Sequence, residues 1–229
     1  MAAQNISMDF EMAEIGAWKQ VFPSLTIHLC SFHLNKSLHS NLVTKGLKCR
    51  YEEKNSKLKE FMQAVYGISF VPTHLLLTAW AAVLMEAIEV KSIFNQSDKE
   101  KFDSFLTYVT NTYIHNPNYP HYMWNNYGKY EHRTNNANEG FNSKLGAYDL
   151  PKNPNVFRCS EVLLEIELEY FANIRQLQNF LPRKTSKSRL DKEIRLYNKQ
   201  LQLYNKEINN KSVDLFEYSQ FCGRLISKH

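Results

Sequence analysis

The period of the apolar positions changes early in the chain. Gln4-Asn-Ile-Ser-Met8 and Leu25-Thr-Ile-His-Leu-Cys30 are short β-prone runs, and between them Met12, Ile15 and Val21 or Phe22 fall on one face of a helix that Pro23-Ser24 stops. Strand, helix, strand at this spacing is the length of a right-handed parallel crossover. Parallel sheets need several strands with both faces covered, yet nothing after Cys30 offers another clear strand. The pattern therefore predicts a chain that lacks part of its own sheet.

From Phe32 onward the periodicity is helical almost throughout, with helices expected near 32–45, 51–66, 72–90 and 98–115. Pro72 fits the first position of the third, and Leu75, Leu76, Trp80, Val83, Leu84, Ala87 and Ile88 spread around most of its circumference, which predicts the buried centre of the block. Asn116-Pro-Asn-Tyr-Pro120 and the aromatic run Tyr122, Trp124, Tyr127 and Tyr130 read as a loop leading into the next helix. Helices are then expected from about Asn136 to Tyr148 and from Val156 to Phe180. On the second, Leu163, Ile166, Tyr170, Ile174, Leu177 and Leu181 form a stripe expected to face the core. Beyond it Leu190, Ile194, Tyr197, Leu201, Tyr204 and Ile208 are spaced as heptad a and d positions. The pattern is shorter than the three or four heptads of a coiled coil, so antiparallel packing on the preceding helix is favoured over dimerisation. The fold class expected is mostly α (α+β).

Composition narrows the class. With 229 residues, 43% of them hydrophobic and 22% charged, the chain is long enough to bury a real core, and 7 Gly with 7 Pro are too few for a hairpin-rich β fold. The longest apolar stretch, Leu75 to Met85, is interrupted by Thr78 and falls short of the 18 or so residues of a membrane span, so no membrane association is expected. The N-terminus has no basic and apolar leader pattern, which favours an intracellular site. Cys30, Cys49, Cys159 and Cys222 are scattered without a C-x-x-C pair and read as reduced thiols.

Charge is uneven. Residues 182–229 hold 11 Lys and Arg against 5 Asp and Glu, whereas residues 1–181 are nearly balanced. Arg183, Lys184, Lys187 and Arg189, with Lys192, Arg195 and Lys199 on the following helix, either solvate a helix or track nucleic-acid phosphates.

Candidate chemistry is sparse. Asp9 falls at the carboxyl end of the first strand, where parallel sheets build sites, although Asp is also a common helix N-cap. Cys30 and His33 have the spacing of two soft ligands. No other Cys or His motif partners them, so a structural pair is favoured and no zinc is expected. Glu139, in Arg133-Thr-Asn135-Asn136-Ala-Asn-Glu139-Gly-Phe, lies in the first turn of a helix among amides, as a dipole-favoured surface residue or a ligand. Brought together, Asp9 and Glu139 would be the two carboxylates that divalent-metal phosphoryl-transfer sites require.

These segments, in this order, resemble the Mutator-like element transposases. Asp9-x-Glu11-x-Ala13, Phe22-Pro23 and Cys30-x-x-His33 look like the family's second-aspartate strand and its C-x-x-H signature, and Arg133-Thr-Asn-Asn-x-x-Glu139-Gly-Phe is similar to its catalytic-glutamate segment. The resemblance spans roughly residues 4–170. It implies a ribonuclease H-like domain with an Asp-Asp-Glu triad binding Mg²⁺ or Mn²⁺, a large all-α insertion, DNA as partner, and a nuclear site. It divides the chain into a strand-helix-strand remnant at 1–35, the insertion at 36–132, returning helices at 133–181 and a basic helical tail at 182–229. Asp9 and Glu139 would be catalytic and metal-binding, with Cys30, His33, Asn135 and Asn136 as signature positions. One departure is decisive: Asp9 is the first acidic residue, leaving no room for the family's first aspartate. The chain then looks like the carboxyl-terminal part of a transposase, inactive alone, with a missing N-terminal segment or a second copy as further partner. The alternative is a helical protein-interaction module, or a domesticated DNA-binding protein without catalysis.

Overall fold

A computed structural model describes residues 4–129, 136–148, 153–179 and 187–226. Their fold is mostly helical with one two-stranded parallel sheet. Strand β1 (Asn5–Met8), helix α1 (Met12–Val21) and strand β2 (Thr26–Leu29) form the crossover that the sequence predicts. Asn5 lies opposite Thr26 and Met8 opposite Leu29. The Cys30 amide donates to the Met8 carbonyl at 2.8 Å, extending the ladder by one step. Met8, Ile27, Leu29 and Ile15 of α1 are buried, so the sheet and its crossover helix join the main core.

Helices α2 (Ser31–Thr44), α3 (Lys48–Glu52), α4 (Lys57–Gly67), α5 (Leu76–Ser92) and α6 (Gln96–Val109) follow. The expected helix over 51–66 is thus two, split at Glu53 to Ser56. Asn55 has a positive φ of 59°, and the Ser56 hydroxyl caps α4 by accepting from the Lys59 amide at 3.0 Å. Pro72 sits one step earlier than expected, ahead of a 3₁₀ turn at Thr73–Leu75 that feeds α5. The end of α6 loosens into a π-helical turn, Thr110–Ile114. There the Thr110 hydroxyl donates to the Leu106 carbonyl at 2.8 Å and accepts from the Trp80 indole at 3.2 Å, so a side chain enters the helical ladder. A short helix α7 (His121–Trp124) closes this stretch against β2.

Helix α5 is not buried all round. Leu76, Ala79, Trp80, Val83, Ala87 and Val90 face the core, while Leu77, Met85 and Ile88 are exposed. The 20-residue stretch Thr73–Ser92 contains an 18-residue window with a mean hydropathy of 1.4 and is by length and composition long and apolar enough to cross a membrane, with 33% of that window buried in the protein. A reading based on uninterrupted apolar length misses this, because mean hydropathy tolerates Thr78, Glu86 and Glu89.

The chain divides into two compact units, Met1–Thr134 with Asp191–His229, and Asn135–Leu190. The second holds helices α8 (Asn136–Ala147) and α9 (Val156–Asn179), tied by Lys144 Nζ to Glu169 at 2.6 Å. On α9 Val162 and Ile166 are buried. Leu163 and Tyr170 of the expected core stripe are exposed, and Ile174, Leu177 and Leu181 lie outside the described side chains.

Helix α10 (Lys187–Ile208) enters the first unit, and α11 (Leu215–Ile226) ends it. The face of α10 expected to be core is the exposed one: Leu190, Ile194, Tyr197, Leu201, Tyr204 and Ile208 are all at least 42% accessible. Leu196, Gln200 and Leu203 are buried instead, at the same 4,3 spacing around the helix. The 4,3 spacing does not distinguish the two stripes; beside the buried one, Lys199 meets Glu217 and Phe221 of α11.

That docking is close. A Cβ on Gly67 of α4 would lie 1.8 Å from the Ser219 carbonyl oxygen, and one on Gly223 of α11 would lie 1.7 Å from the Gln63 carbonyl oxygen. The two helices therefore touch backbone to backbone, with Phe61, Met62, Val65, Tyr218 and Cys222 packed around the crossing. The Tyr218 hydroxyl donates to the Phe70 carbonyl at 2.9 Å and Arg224 Nε to the Gln63 amide oxygen at 2.8 Å. Burial pushes the Cys222 thiol up to about 12.

Candidate functional site

The end of β1 meets the end of β2 at a small polar corner. Asp9 follows β1 directly and is not the N-cap of α1, a position held by Glu11. Cys30 follows β2 and is the N-cap of α2, which puts His33 in the first turn of that helix, one turn above Cys30. Because Met8 pairs with Leu29, Asp9 and Cys30 occupy the next position on neighbouring parallel chains. His33 Nδ1 lies 2.8 Å from Asp9 Oδ1. One ligand atom each from Asp9, Cys30 and His33 lie within 4.8 Å of one another. Cys30 is buried at 1% exposure, whereas Asp9 and His33 keep side-chain exposures of 39% and 23%. The corner thus has a buried sulfur floor and an opening to solvent.

Neighbouring contacts hold it in place. Tyr119, in the loop before α7, donates its hydroxyl to the Phe10 carbonyl at 3.0 Å, and the Phe10 ring stands edge-on to Tyr113 and Tyr119 at 5.7 and 5.4 Å. Ser37, Tyr108 and Tyr113 exchange hydroxyl hydrogen bonds of 3.0 to 3.2 Å, fixing α2 against the end of α6, and burial pushes the Tyr113 hydroxyl upward. On β2, Lys129 Nζ lies 2.8 Å from His28 Nδ1. Burial and then the Lys129 charge lower the His28 pKa, and burial lowers that of Lys129, so a neutral imidazole accepts the ammonium's hydrogen.

The chain therefore brings together three residues that the sequence treats apart, Asp9 with the Cys30 and His33 pair. Glu139 is the fourth residue of α8, and Asn136 the first; their side chains, and Asn135 altogether, lie outside the described residues. Of the basic positions, Arg183 and Lys184 also lie outside them, and Lys187, Arg189, Lys192 and Arg195 are exposed on α10. Lys199 is half-buried, with Nζ 3.7 Å from Glu217 and 5.0 Å from the centre of the Phe221 ring, above which Arg195 also lies at 5.7 Å. These two cations cover an aromatic ring of α11 as well as facing solvent.

The donors gathered with Asp9 bear on the expected Mg²⁺. Magnesium takes oxygen ligands, whereas a thiol and an imidazole suit softer ions. The Asp9 corner does not fit Mg²⁺, and no catalytic step is derived through it. No known family, curated protein or solved structure matches the chain.

Proposed function

We propose that this chain derives from a DNA transposase of the Mutator-like kind and retains contact with DNA rather than strand cleavage. The observation that carries the reading is positional. Asp9 stands at the carboxyl end of a parallel strand, a long helical block follows β2, and Glu139 then opens the first turn of α8. In an intact enzyme of that class, such carboxylates serve metal-assisted phosphoryl transfer. Because the thiol and imidazole gathered beside Asp9 suit softer ions than Mg²⁺, the role proposed is that of a nuclear DNA-binding remnant, completed by a transposase segment or a second copy. A second reading is favoured by the exposed Leu77, Met85 and Ile88 on α5, which suit a helical protein-interaction module.

Fluorescence anisotropy with duplex DNA between about 50 and 200 mM salt separates the two. If Lys187, Arg189, Lys192 and Arg195 track phosphates, log K falls linearly with log[salt], by about 0.9 for each neutralised phosphate. Changing all four to Ala then flattens the slope by several units and leaves sequence preference unchanged. Equal, weak binding by parent and quadruple variant at every salt concentration overturns the DNA reading and leaves the interaction module.

A further inference from the structure

We propose that Asp9, Cys30 and His33 form a three-ligand site for Zn²⁺ that clips the end of β1 to the start of α2. The inference rests on the geometry of the corner and not on the transposase reading. Zinc takes thiolate sulfur at about 2.3 Å and imidazole nitrogen or carboxylate oxygen at about 2.0–2.2 Å, so ligand atoms around a tetrahedral ion stand about 3.3–3.8 Å apart. The three donors already lie within 4.8 Å of one another, and the Asp9 to His33 pair at 2.8 Å need open by only a fraction of an ångström as an ion comes between them.

The local structure supplies the rest. The ladder bond from the Cys30 amide to Met8 fixes the thiol beside Asp9, and the helical turn from Cys30 to His33 sets the imidazole over it. Cys30 loses its thiol proton on ligation, and the N-terminus of the 14-residue α2 favours the negative charge that results. Asp9 and His33, both partly exposed, give the ion a path from solvent. Three protein ligands leave the fourth tetrahedral position to water or to an oxygen of an incoming ligand.

Titration of the full chain with Co²⁺ as a spectroscopic stand-in for Zn²⁺, followed by competition with Zn²⁺, tests this. One equivalent of Co²⁺ is expected to give tetrahedral d–d absorption with a single thiolate-to-cobalt charge-transfer band, abolished by Zn²⁺. Cys30→Ser removes that band, while Cys49→Ser and Cys159→Ser keep it. Because Cys30 is buried and its substitution perturbs the core as well as the site, Asp9→Asn and His33→Gln, at partly exposed positions, are measured alongside. Each should weaken Zn²⁺ binding at least tenfold with an unchanged circular dichroism spectrum. A melting temperature raised by Zn²⁺ in the parent and not in Asp9→Asn gives a second readout. No stoichiometric binding, a thiolate band that survives in Cys30→Ser, or Zn²⁺ affinity unmoved in both Asp9→Asn and His33→Gln overturns the site. None of these results depends on whether the chain binds DNA, so the two proposals fail separately.

Discussion

The crossing of α4 and α11 and the corner formed by Asp9, Cys30 and His33 are built on opposite principles. At the crossing two glycines let backbones touch, apolar side chains fill the surroundings, and the geometry tolerates no added atom. At the corner three polar donors meet on a sheet of two strands of four residues each, partly open to water. The first arrangement supplies rigidity and has no chemistry to offer; the second sets two partly exposed ligands, Asp9 and His33, over a buried thiol at the edge of the core. Substitutions should therefore cost the protein its fold in one region and its ligand in the other.

The sharpest way to break this contrast is Gly223→Ala. The new methyl meets the Gln63 carbonyl oxygen, a backbone atom held inside α4, so the helices must separate; a loss of about 3 kcal/mol or more is expected in urea unfolding. A change below about 1 kcal/mol would mean that the backbones do not touch there.

Next in size, the two faces of α10 should respond unequally. Leu196→Ala should cost about 2–5 kcal/mol, whereas Leu201→Ala, on the exposed heptad face, should stay within about 0.5 kcal/mol. Equal losses would mean that both stripes are covered in solution.

A gain is expected between them. Gln200 is buried at 3% exposure, and among the described residues neither its amide oxygen nor its nitrogen has a hydrogen-bond partner. Gln200→Met keeps the shape and removes the desolvation penalty, so stability should rise by about 1 kcal/mol, read as a higher denaturant midpoint at unchanged slope.

The smallest effect belongs to the sheet. His28 titrates below its ordinary 6.5 in the fold, through burial first and the Lys129 charge second. As pH falls through 6.5, the unfolded chain takes up the proton before the folded one, so stability drops until the folded pKa is passed. Lys129→Met removes the repelling charge and should raise the His28 pKa part of the way back, with burial keeping it below 6.5, and shrink that acid loss. Nuclear magnetic resonance titration of His28 reads the shift. A downward or absent shift would show that the 2.8 Å contact with Lys129 is not made in solution.

The periodicity of the chain carried the helices and the strand-helix-strand opening, because a period of 3.6 or 2 is a local property that survives without knowledge of partners. It also carried the Cys30-x-x-His33 spacing, since one helical turn brings those side chains together whatever surrounds them. The final helix was legible too: Leu215, Tyr218, Cys222 and Leu225 recur at 3, 4 and 3, a signal submerged by reading the region as a basic tail.

What periodicity could not decide was which of two apolar stripes on α10 faces inward. Burial depends on which neighbours cover the helix, and Lys199, beside the buried stripe, meets Glu217 and Phe221 of α11 only in the fold. The same holds at the corner. Asp9 and Cys30 are 21 residues apart, and only the parallel register that sets Met8 opposite Leu29 places a carboxylate beside a thiol. Local sequence fixed each donor's own element; the pairing of strands, a long-range hydrogen-bond choice made during tertiary folding, decided that the donors would share one site.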